Sequence, residues 1–371
     1  MCQYSAENGI PTDWHFAHIG SIISRGPGFT MMEATAVVPE GRITPQDLGL
    51  WSDDHIAPFH RITQFAHSQN QKIGVQLAHA GRKSSTTAPW LHPGKASSVL
   101  EGGWPGEVRG PTDEAFVPTF ATPKALEVRE IEGVVKAYKD AAVRAMKAGF
   151  DVIGLHGGHG YLLHSFMSPA VNNRTDEYGG SFENRIRLTV EVVDAIRAVI
   201  PPTMPLVVRV SGTDWLEDSG MPSWTVEDTA NLAHVLAEHG VDVVDVSSGG
   251  NSLKQKIVVK GGPAYQVPLA EAVKKSVGDK MIVSTVGAIT TGKMANEILE
   301  NGQADAVCVG RQFLKNPGTV WAFADDLGVK INMAHQYEWG FLGRGGRGSK
   351  PVPVSPVDQR KEGEAKIQRK A

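Results

Sequence analysis

Short apolar runs alternate with amphipathic stretches along most of this chain. Seven runs rich in Val and Ile have the length of a strand and are nearly continuous: 29–38, 72–78, 151–157, 206–212, 241–248, 281–287 and 304–311. Such runs are typical of parallel strands that are buried on both faces. The pattern therefore predicts an α/β fold with a parallel sheet.

The stretches between these runs repeat their apolar residues at the 3.6-residue period of a helix. In 127–149 they form one stripe, and Gly149 follows it as a suitable C-terminal cap. Asp13 is predicted to be the N-cap of a helix over 14–25. Further helices are predicted at 53–69, 182–198, 225–239, 268–277, 291–301 and 313–326.

Alternating strands and helices build either an open doubly wound sheet or a closed (β/α)₈ TIM barrel. No Gly-x-Gly-x-x-Gly follows the first run, which argues against the open dinucleotide-binding sheet. Candidate chemical residues follow strand after strand, as they do at the mouth of a barrel. We therefore predict one TIM-barrel domain over 1–340, with 341–371, rich in Gly, Arg and Lys, as a disordered tail.

A barrel has eight strands, and the sequence shows seven complete runs. The remaining strand would come first, and Met1–Ser5 resembles the last residues of such a strand. We therefore expect a truncated first strand. This leaves open an alternative function class, in which the protein is an inactive relative that does not hold its cofactor.

Composition narrows the range of partners. The 371 residues carry a net charge of −3, which provides no basic field for nucleic acid or for an anionic membrane. The apolar runs are shorter than the roughly 20 residues of a membrane span. Two cysteines and no basic-apolar leader favour a cytoplasmic protein. A small-molecule ligand is therefore expected, with no nucleic acid and no membrane partner.

The Gly-rich turn after the 151–157 run is the strongest chemical signal. Glycines at 157, 158 and 160 let the backbone curl, so that His156, His159 and Tyr161 can converge. Hydrogen-bond donors beside an acid can polarise a carbonyl group and protonate a carbon atom. Two alternatives stay open, a metal site and a pair of structural histidines.

The last two runs end in Gly287 and in Gly310-Arg311, at the place where barrels bind phosphate. Gln76 and Arg209 end earlier runs. A carboxamide suits the polar edge of a flavin ring, and a fixed arginine stabilises the negative charge of the reduced ring. The alternatives are plain turns at the glycines and an ion pair at Arg209.

Several longer motifs complete the picture, and they cover residues 1 to about 340: Met1-Cys-Gln-Tyr-Ser5, Gly41-Arg-Ile-Thr, Asp47-Leu-Gly-Leu-Trp-Ser52, Gln76-Leu-Ala-His-Ala-Gly-Arg-Lys83, His156-Gly-Gly-His-Gly-Tyr161, Asn173-Arg-Thr-Asp-Glu-Tyr-Gly-Gly-Ser-Phe-Glu-Asn-Arg185 and Val309-Gly-Arg. With them the chain resembles the old yellow enzyme family of FMN-dependent ene-reductases, and in particular its thermophilic-like subclass.

The resemblance implies bound FMN that is reduced by NADPH or NADH and that passes a hydride to an electron-poor alkene. It implies that His156 and His159 bind the substrate carbonyl, that Tyr161 donates the proton, and that Tyr4 is a second phenol there. The flavin contacts that it implies are Cys2, Ala34, Gln76 and Arg209 at the ring, and Gly287, Gly310 and Arg311 at the phosphate.

The chain departs from the subclass at two places. The Ser-Pro pair and the N-terminal segment that precede Met-Cys in the family are absent, and Trp339 stands where an arginine reaches into the neighbouring subunit. We expect an NAD(P)H-dependent ene-reductase with a ping-pong mechanism, as a homodimer or homotetramer. The alternative enzyme is an FMN barrel that oxidises another small substrate. Relatives of that kind that carry an iron–sulfur cluster need more cysteines than the two present here.

Overall fold

The predicted alternation of strands and helices is present in the computed structural model, which describes residues 1–92, 94–256, 262–331 and 333–342. All seven predicted runs form strands, and three two-residue strands that the pattern did not predict add to them. In chain order they are β1 (Thr30–Ala36), β2 (Leu48–Gly49), β3 (Ile73–Ala78), β4 (Arg109–Gly110), β5 (Lys124–Ala125), β6 (Val152–Gly157), β7 (Leu206–Ser211), β8 (Val243–Ser247), β9 (Ile282–Val286) and β10 (Ala306–Cys308).

Helices connect the long strands, and all but two of them, at 162–167 and 335–342, lie near predicted positions. They are α1 (Asp13–Ile23), α2 (Ile56–Ser68), α3 (Val128–Lys147), α4 (Leu162–Met167), α5 (Phe182–Arg197), α6 (Val226–Glu238), α7 (Val267–Val277), α8 (Gly292–Glu300), α9 (Arg311–Lys315), α10 (Thr319–Leu327) and α11 (His335–Leu342). The elements from α1 to α10 belong to the contact unit Met1–Ile331, and α11 belongs to the unit that begins at Asn332. The predicted tail lies outside the described residues from 343 onward, and the predicted domain boundary at residue 340 stays a prediction.

The long strands form one parallel sheet in the order β10-β9-β8-β7-β6-β3-β1-β2. Successive long strands are neighbours throughout, which is the order of a (β/α)₈ barrel and confirms the predicted fold class. Helices cover the outer face of this sheet. In α3, for example, the predicted stripe is buried, and Gly149 with φ +86° follows the helix in the left-handed conformation that favours glycine.

The sheet has two edges, at β10 and at the β1–β2 side. Among the described residues no backbone ladder joins β10 to β1, and Met1–Ser5 form no strand. These first residues nevertheless lie at the mouth between the two edges. The Gln3 N–H donates to Glu33 Oε1 of β1 at 2.8 Å, and Met1 Sδ lies 3.1 Å from where a Cβ would stand at Gly310.

Two predicted helix boundaries are wrong. The N-cap of α1 is Thr12 and not Asp13, because Thr12 has the extended backbone of a cap (φ −92°, ψ 178°) and its N–H donates to His15 Nδ1 at 3.1 Å. The helix predicted at 313–326 is two helices, α9 and α10. Pro317 lies between them and has no N–H to continue the helical hydrogen bonds.

Candidate active site

Strand register brings polar residues of four neighbouring strands to one level of the barrel. His156 pairs with Arg209, Arg209 with Asp245, and Asp245 with Ser284. We refer to these four residues as the cross-strand row. Polar contacts connect three of its members, since Arg209 Nη1 lies 2.9 Å from Asp245 Oδ2 and Ser284 Oγ donates to Asp245 Oδ1 at 2.9 Å.

The turn after β6 gathers the predicted His/Tyr cluster at one end of this row. His159 (φ +57°) and Gly160 (φ +70°) both have left-handed backbone, which folds the chain back on itself. The His156 ring therefore meets the His159 ring edge-on, with centroids 5.1 Å apart, and the Tyr161 ring at 5.0 Å. The structure thus brings all three predicted side chains together.

A chain of hydrogen bonds fixes the tautomer of His159. Gln266 Nε2 donates to Val286 O at 2.9 Å, which makes Gln266 Oε1 the acceptor of the Ser247 hydroxyl at 3.3 Å. Ser247 Oγ must then accept from His159 Nε2, which lies 2.7 Å away. His159 Nδ1 is left as an acceptor, 3.4 Å from His156 Nε2. The N–H of His156 therefore points into the cluster, and the N–H of His159 points to Ser247.

Burial keeps both imidazoles neutral. It lowers the pKa of His156 well below 6.5, and the positive charge of Arg209 lowers it further. Burial likewise lowers the pKa of His159 well below 6.5, followed by the effect of His156. Near neutral pH each ring is therefore a hydrogen-bond donor without a net charge.

The two phenols of the predicted site stay protonated. Burial, and next the neighbouring Cys2 thiol, raise the pKa of Tyr161 well above 10 and also raise that of Tyr4. Tyr4 has a left-handed backbone (φ +46°), and its ring meets the Trp90 ring edge-on at 5.4 Å. Burial, followed by Asp47, raises the pKa of Cys2. Each of these groups therefore holds its proton over the physiological pH range.

Lys83 is a further residue of the site, which the sequence did not predict. Its Nζ donates to His159 O and to Gly250 O, both at 2.9 Å, and lies 5.2 Å from the centre of the Tyr161 ring. Burial, followed by the charge of Arg82, lowers the pKa of Lys83 to about 7. The sequence signal that could have identified Lys83 is the Arg-Lys pair directly after Gly81, in the turn that follows β3.

Three of the four residues predicted to contact the flavin ring lie in the C-terminal halves of strands. Ala34 of β1 pairs with Gln76 of β3, and Arg209 lies on β7. Arg209 forms an ion pair with Asp245, as the alternative interpretation of this residue expects. The Nε of Arg209 is nevertheless buried and has no hydrogen-bond partner among the described residues. This donor and the carboxamide of Gln76 fit the polar edge of a flavin.

The predicted phosphate residues follow β9 and β10, which are neighbours in the sheet. Gly287 has φ +125°, a conformation reserved for glycine, and a Cβ there would stand 2.7 Å from Gln266 Nε2. Gly310 directly precedes α9, and Arg311 is exposed at the first position of that helix. Close backbone and a cationic side chain fit the phosphate end of FMN.

Two further properties of the described residues concern metal binding and membrane spans. They contain no group of three or more His, Cys, Asp and Glu side chains that could hold a metal ion. None of the described helices is long and apolar enough to cross a membrane.

A parallel barrel with a flavin-type donor set at its mouth defines the class of FMN-dependent oxidoreductases. The chain belongs to the NADH:flavin oxidoreductase / NADH oxidase family, whose model matches residues 1–327. This confirms the resemblance to the old yellow enzyme family and the assignment as an enzyme. Its cofactors are FMN and a nicotinamide nucleotide as the reductant.

Individual relatives agree with this membership. An NADH:flavin oxidoreductase of Gibberella zeae is 55% identical over 362 residues, which are 95% of this chain and 87% of that protein. NADPH dehydrogenases of Geobacillus thermodenitrificans and Bacillus subtilis are 42% and 41% identical over 343 residues, 92% of this chain and 92% and 93% of theirs. Morphinone reductase, solved in complex with tetrahydroNAD, superposes with a TM-score of 0.70 at 25% identity and covers 90% of this chain and 86% of its own.

Proposed function

We propose that this NAD(P)H oxidoreductase is an ene-reductase, which reduces the activated C=C bond of α,β-unsaturated carbonyl compounds by a ping-pong mechanism. The observation that supports it best is the cluster after β6. Two neutral imidazoles and a protonated phenol lie with ring centres about 5 Å apart on one turn. These groups can bind a carbonyl oxygen and deliver a proton to carbon.

In this proposal Ala34, Gln76 and Arg209 hold the flavin ring, and Gly287, Gly310 and Arg311 hold the phosphate. FMN held there would supply the hydride chemistry, with NAD(P)H as the hydride source and the β-carbon of the alkene as the acceptor. One NAD(P)H and one proton are consumed for each C=C bond reduced. Cys2 lies beside the Tyr4 phenol and is the residue that we propose to tune the flavin.

The substrate oxygen gains negative charge as the β-carbon is reduced, and hydrogen-bond donors stabilise that charge. We assign His156 and His159 as these donors, with the Tyr4 hydroxyl beside them. Each ring gives up an internal contact when it donates to the substrate. His156 gives up its contact with His159 Nδ1 at 3.4 Å, and His159 gives up its bond to Ser247 at 2.7 Å.

Tyr161 is the proposed acid that protonates the α-carbon. Its raised pKa ensures that the phenol carries the proton at neutral pH. In its protonated form the Lys83 side chain, whose Nζ lies 5.2 Å from the centre of the phenol ring, stabilises the phenolate that remains after the proton has left. Solvent then restores the proton between turnovers.

The relatives support parts of this proposal. Those of Geobacillus and Bacillus are named NADPH dehydrogenases, and the solved neighbour is named a reductase of morphinone and holds a tetrahydroNAD. NADPH or NADH as the reductant, a cytoplasmic location and a homodimer or homotetramer accompany the proposal as predictions.

The test separates the two half-reactions by stopped flow with the Tyr161→Phe variant. Reduction of the flavin by NAD(P)H should be unchanged, because it needs no acid. Reoxidation by an enone should slow by about 10²–10⁴-fold, the usual contribution of general acid catalysis. The control is Tyr178→Phe, which removes a phenol that is bonded to Glu191 and not to the cluster. Equal losses in both half-reactions would refute the assignment.

A further inference from the structure

Gly160 connects two proposed catalytic residues, His159 and Tyr161. Side chains of α4 form hydrogen bonds with both of its backbone polar groups, the N–H and the carbonyl. The Gly160 N–H donates to His164 Nδ1 at 2.9 Å, and the Gly160 carbonyl accepts from Ser165 Oγ at 3.0 Å. The space around this peptide is closed, since a Cβ on Gly160 would stand 2.1 Å from Gly250 O. The position of the Tyr161 backbone is therefore set from one side by α4 and from the other by the loop after β8.

His164 is completely buried and turns its second nitrogen toward a buried carboxylate. Because Nδ1 accepts from Gly160, the ring proton of neutral His164 lies on Nε2. That nitrogen is 3.2 Å from Asp214 Oδ1, and both side chains are 0% exposed. Neither atom has another hydrogen-bond partner among the described residues.

Asp214 is itself fixed on its other oxygen. Oδ2 accepts from Ser168 Oγ at 2.5 Å and from the Trp224 N–H at 2.9 Å. Burial alone would raise the pKa of Asp214, but His164 and these two hydrogen bonds lower it below its usual value. An ionised carboxylate that is held by three residues is a rigid anchor for the imidazole.

A purely structural role explains this arrangement poorly. Packed apolar side chains of similar volume are often as stabilising as a buried charge with its polar partner, because a charge loses its hydration on burial. What an apolar pair cannot do is hold one peptide N–H and one ring tautomer in place. The rigid chain from Asp214 through His164 ends at the Gly160 N–H, in the peptide that joins His159 to Gly160, one residue before Tyr161.

We propose that His164 and Asp214 are positioning residues for the proton donor Tyr161, acting through the Gly160 peptide. This inference rests on the proposed function, because it concerns the step in which Tyr161 protonates carbon. A displacement of about 1 Å of a reacting group can slow a reaction about 10²-fold. Loss of the anchor should therefore slow flavin reoxidation by an enone and not flavin reduction.

The experiment compares His164→Leu, which removes the acceptor of the Gly160 N–H, with His164→Asn, whose amide oxygen can replace that acceptor. His164→Leu should slow reoxidation by about 10- to 100-fold and leave reduction within about twofold. His164→Asn should recover most of the loss. Asp214→Asn, which keeps the shape and removes the charge, should lie between them and serves as the second variant if His164→Leu does not fold.

A double-mutant cycle with Tyr161→Phe makes the test specific. If His164 acts through the phenol, His164→Leu should slow reoxidation no further once the phenol is gone. Additive losses, or equal losses in both half-reactions, would show a general structural effect and overturn the proposal. If Tyr161→Phe alone leaves reoxidation unchanged, the acid assignment falls and this inference falls with it. If Tyr161→Phe slows reoxidation and His164→Leu does not, only the inference is lost.

Discussion

Replacing Gly160 by alanine should be one of the most damaging single-methyl changes in this protein. The left-handed backbone (φ +70°) would cost an alanine about 1–2 kcal/mol. The new methyl would also stand 2.1 Å from Gly250 O, well inside contact distance, and the atom it meets belongs to the backbone. The loop after β8 must therefore move by about 1 Å or more, because ordinary van der Waals contact of a Cβ begins at 3.4 Å.

That movement would disturb the two hydrogen bonds that hold Gly250. Its carbonyl accepts from Lys83 Nζ at 2.9 Å, and its N–H donates to Gln255 Oε1 at 2.7 Å. A bond to a charged group contributes about 1.5–3 kcal/mol and a neutral one about 0.5–1.5 kcal/mol. Together with the backbone strain, we expect Gly160→Ala to lower the free energy of unfolding by about 3–6 kcal/mol.

The matched control is Gly180→Ala. Gly180 has a similar backbone (φ +81°), but nothing lies within 4 Å of the position of its Cβ. It should lose only the strain of about 1–2 kcal/mol. Urea unfolding of the FMN-saturated proteins gives both values, and flavin reoxidation by an enone should slow only in Gly160→Ala. Equal destabilisation of the two variants would refute the clash with the Gly250 loop.

Two further predictions concern a buried carboxylate and the carbonyl donors. Burial raises the pKa of Asp47 to about 7, against hydrogen bonds from Thr44 and Ile43 that lower it, so the folded chain holds a proton that the unfolded chain has released. The free energy of unfolding of the wild type should therefore fall as the pH rises from about 4 to 7. Asp47→Asn lacks this titration and should gain up to about 4 kcal/mol relative to the wild type across that window. The same pH dependence of the unfolding free energy in both proteins, measured with urea, would contradict this. Replacing both His156 and His159 by alanine should weaken a bound phenolate by about 1.5–3 kcal/mol per lost hydrogen bond and leave the FMN content unchanged. An unchanged charge-transfer band of the phenol would exclude them as its anchor, and zinc held by the wild type but not by this variant would support the metal alternative.

The strands could be predicted because a parallel barrel buries both faces of each strand, and burial on both faces leaves a run of Val and Ile. The His/Tyr cluster could be predicted because its three members lie within six residues, on a turn marked by glycines. Both signals are local in sequence. The break between α9 and α10 could also have been predicted from the sequence, since Pro317 cannot continue the hydrogen bonds of a helix.

Contacts between distant segments could not be predicted in this way. Lys83 is joined to His159, and His164 to Asp214, only because the loops after β3, β6 and β7 open at the same mouth. No periodicity marks such pairs. The N-cap of α1 shows a different limit, since Thr12 and Asp13 are both good capping residues and the backbone conformation decides between them.

The cross-strand row also ties ligand binding to the correctness of folding. Side chains alternate between the two faces of a strand, so that a slip of one residue in any of β6 to β9 would turn its member of the row to the opposite face. A slip in β7 or in β9 would therefore separate Arg209 from Gly287, which we propose to hold the two ends of one flavin. A flavin that needs both would bind only where these two strands are correctly registered, and at a free concentration of 100 times Kd it would add about 2.7 kcal/mol to that arrangement alone. The cofactor would thus discriminate against slipped pairings of β7 and of β9 at once.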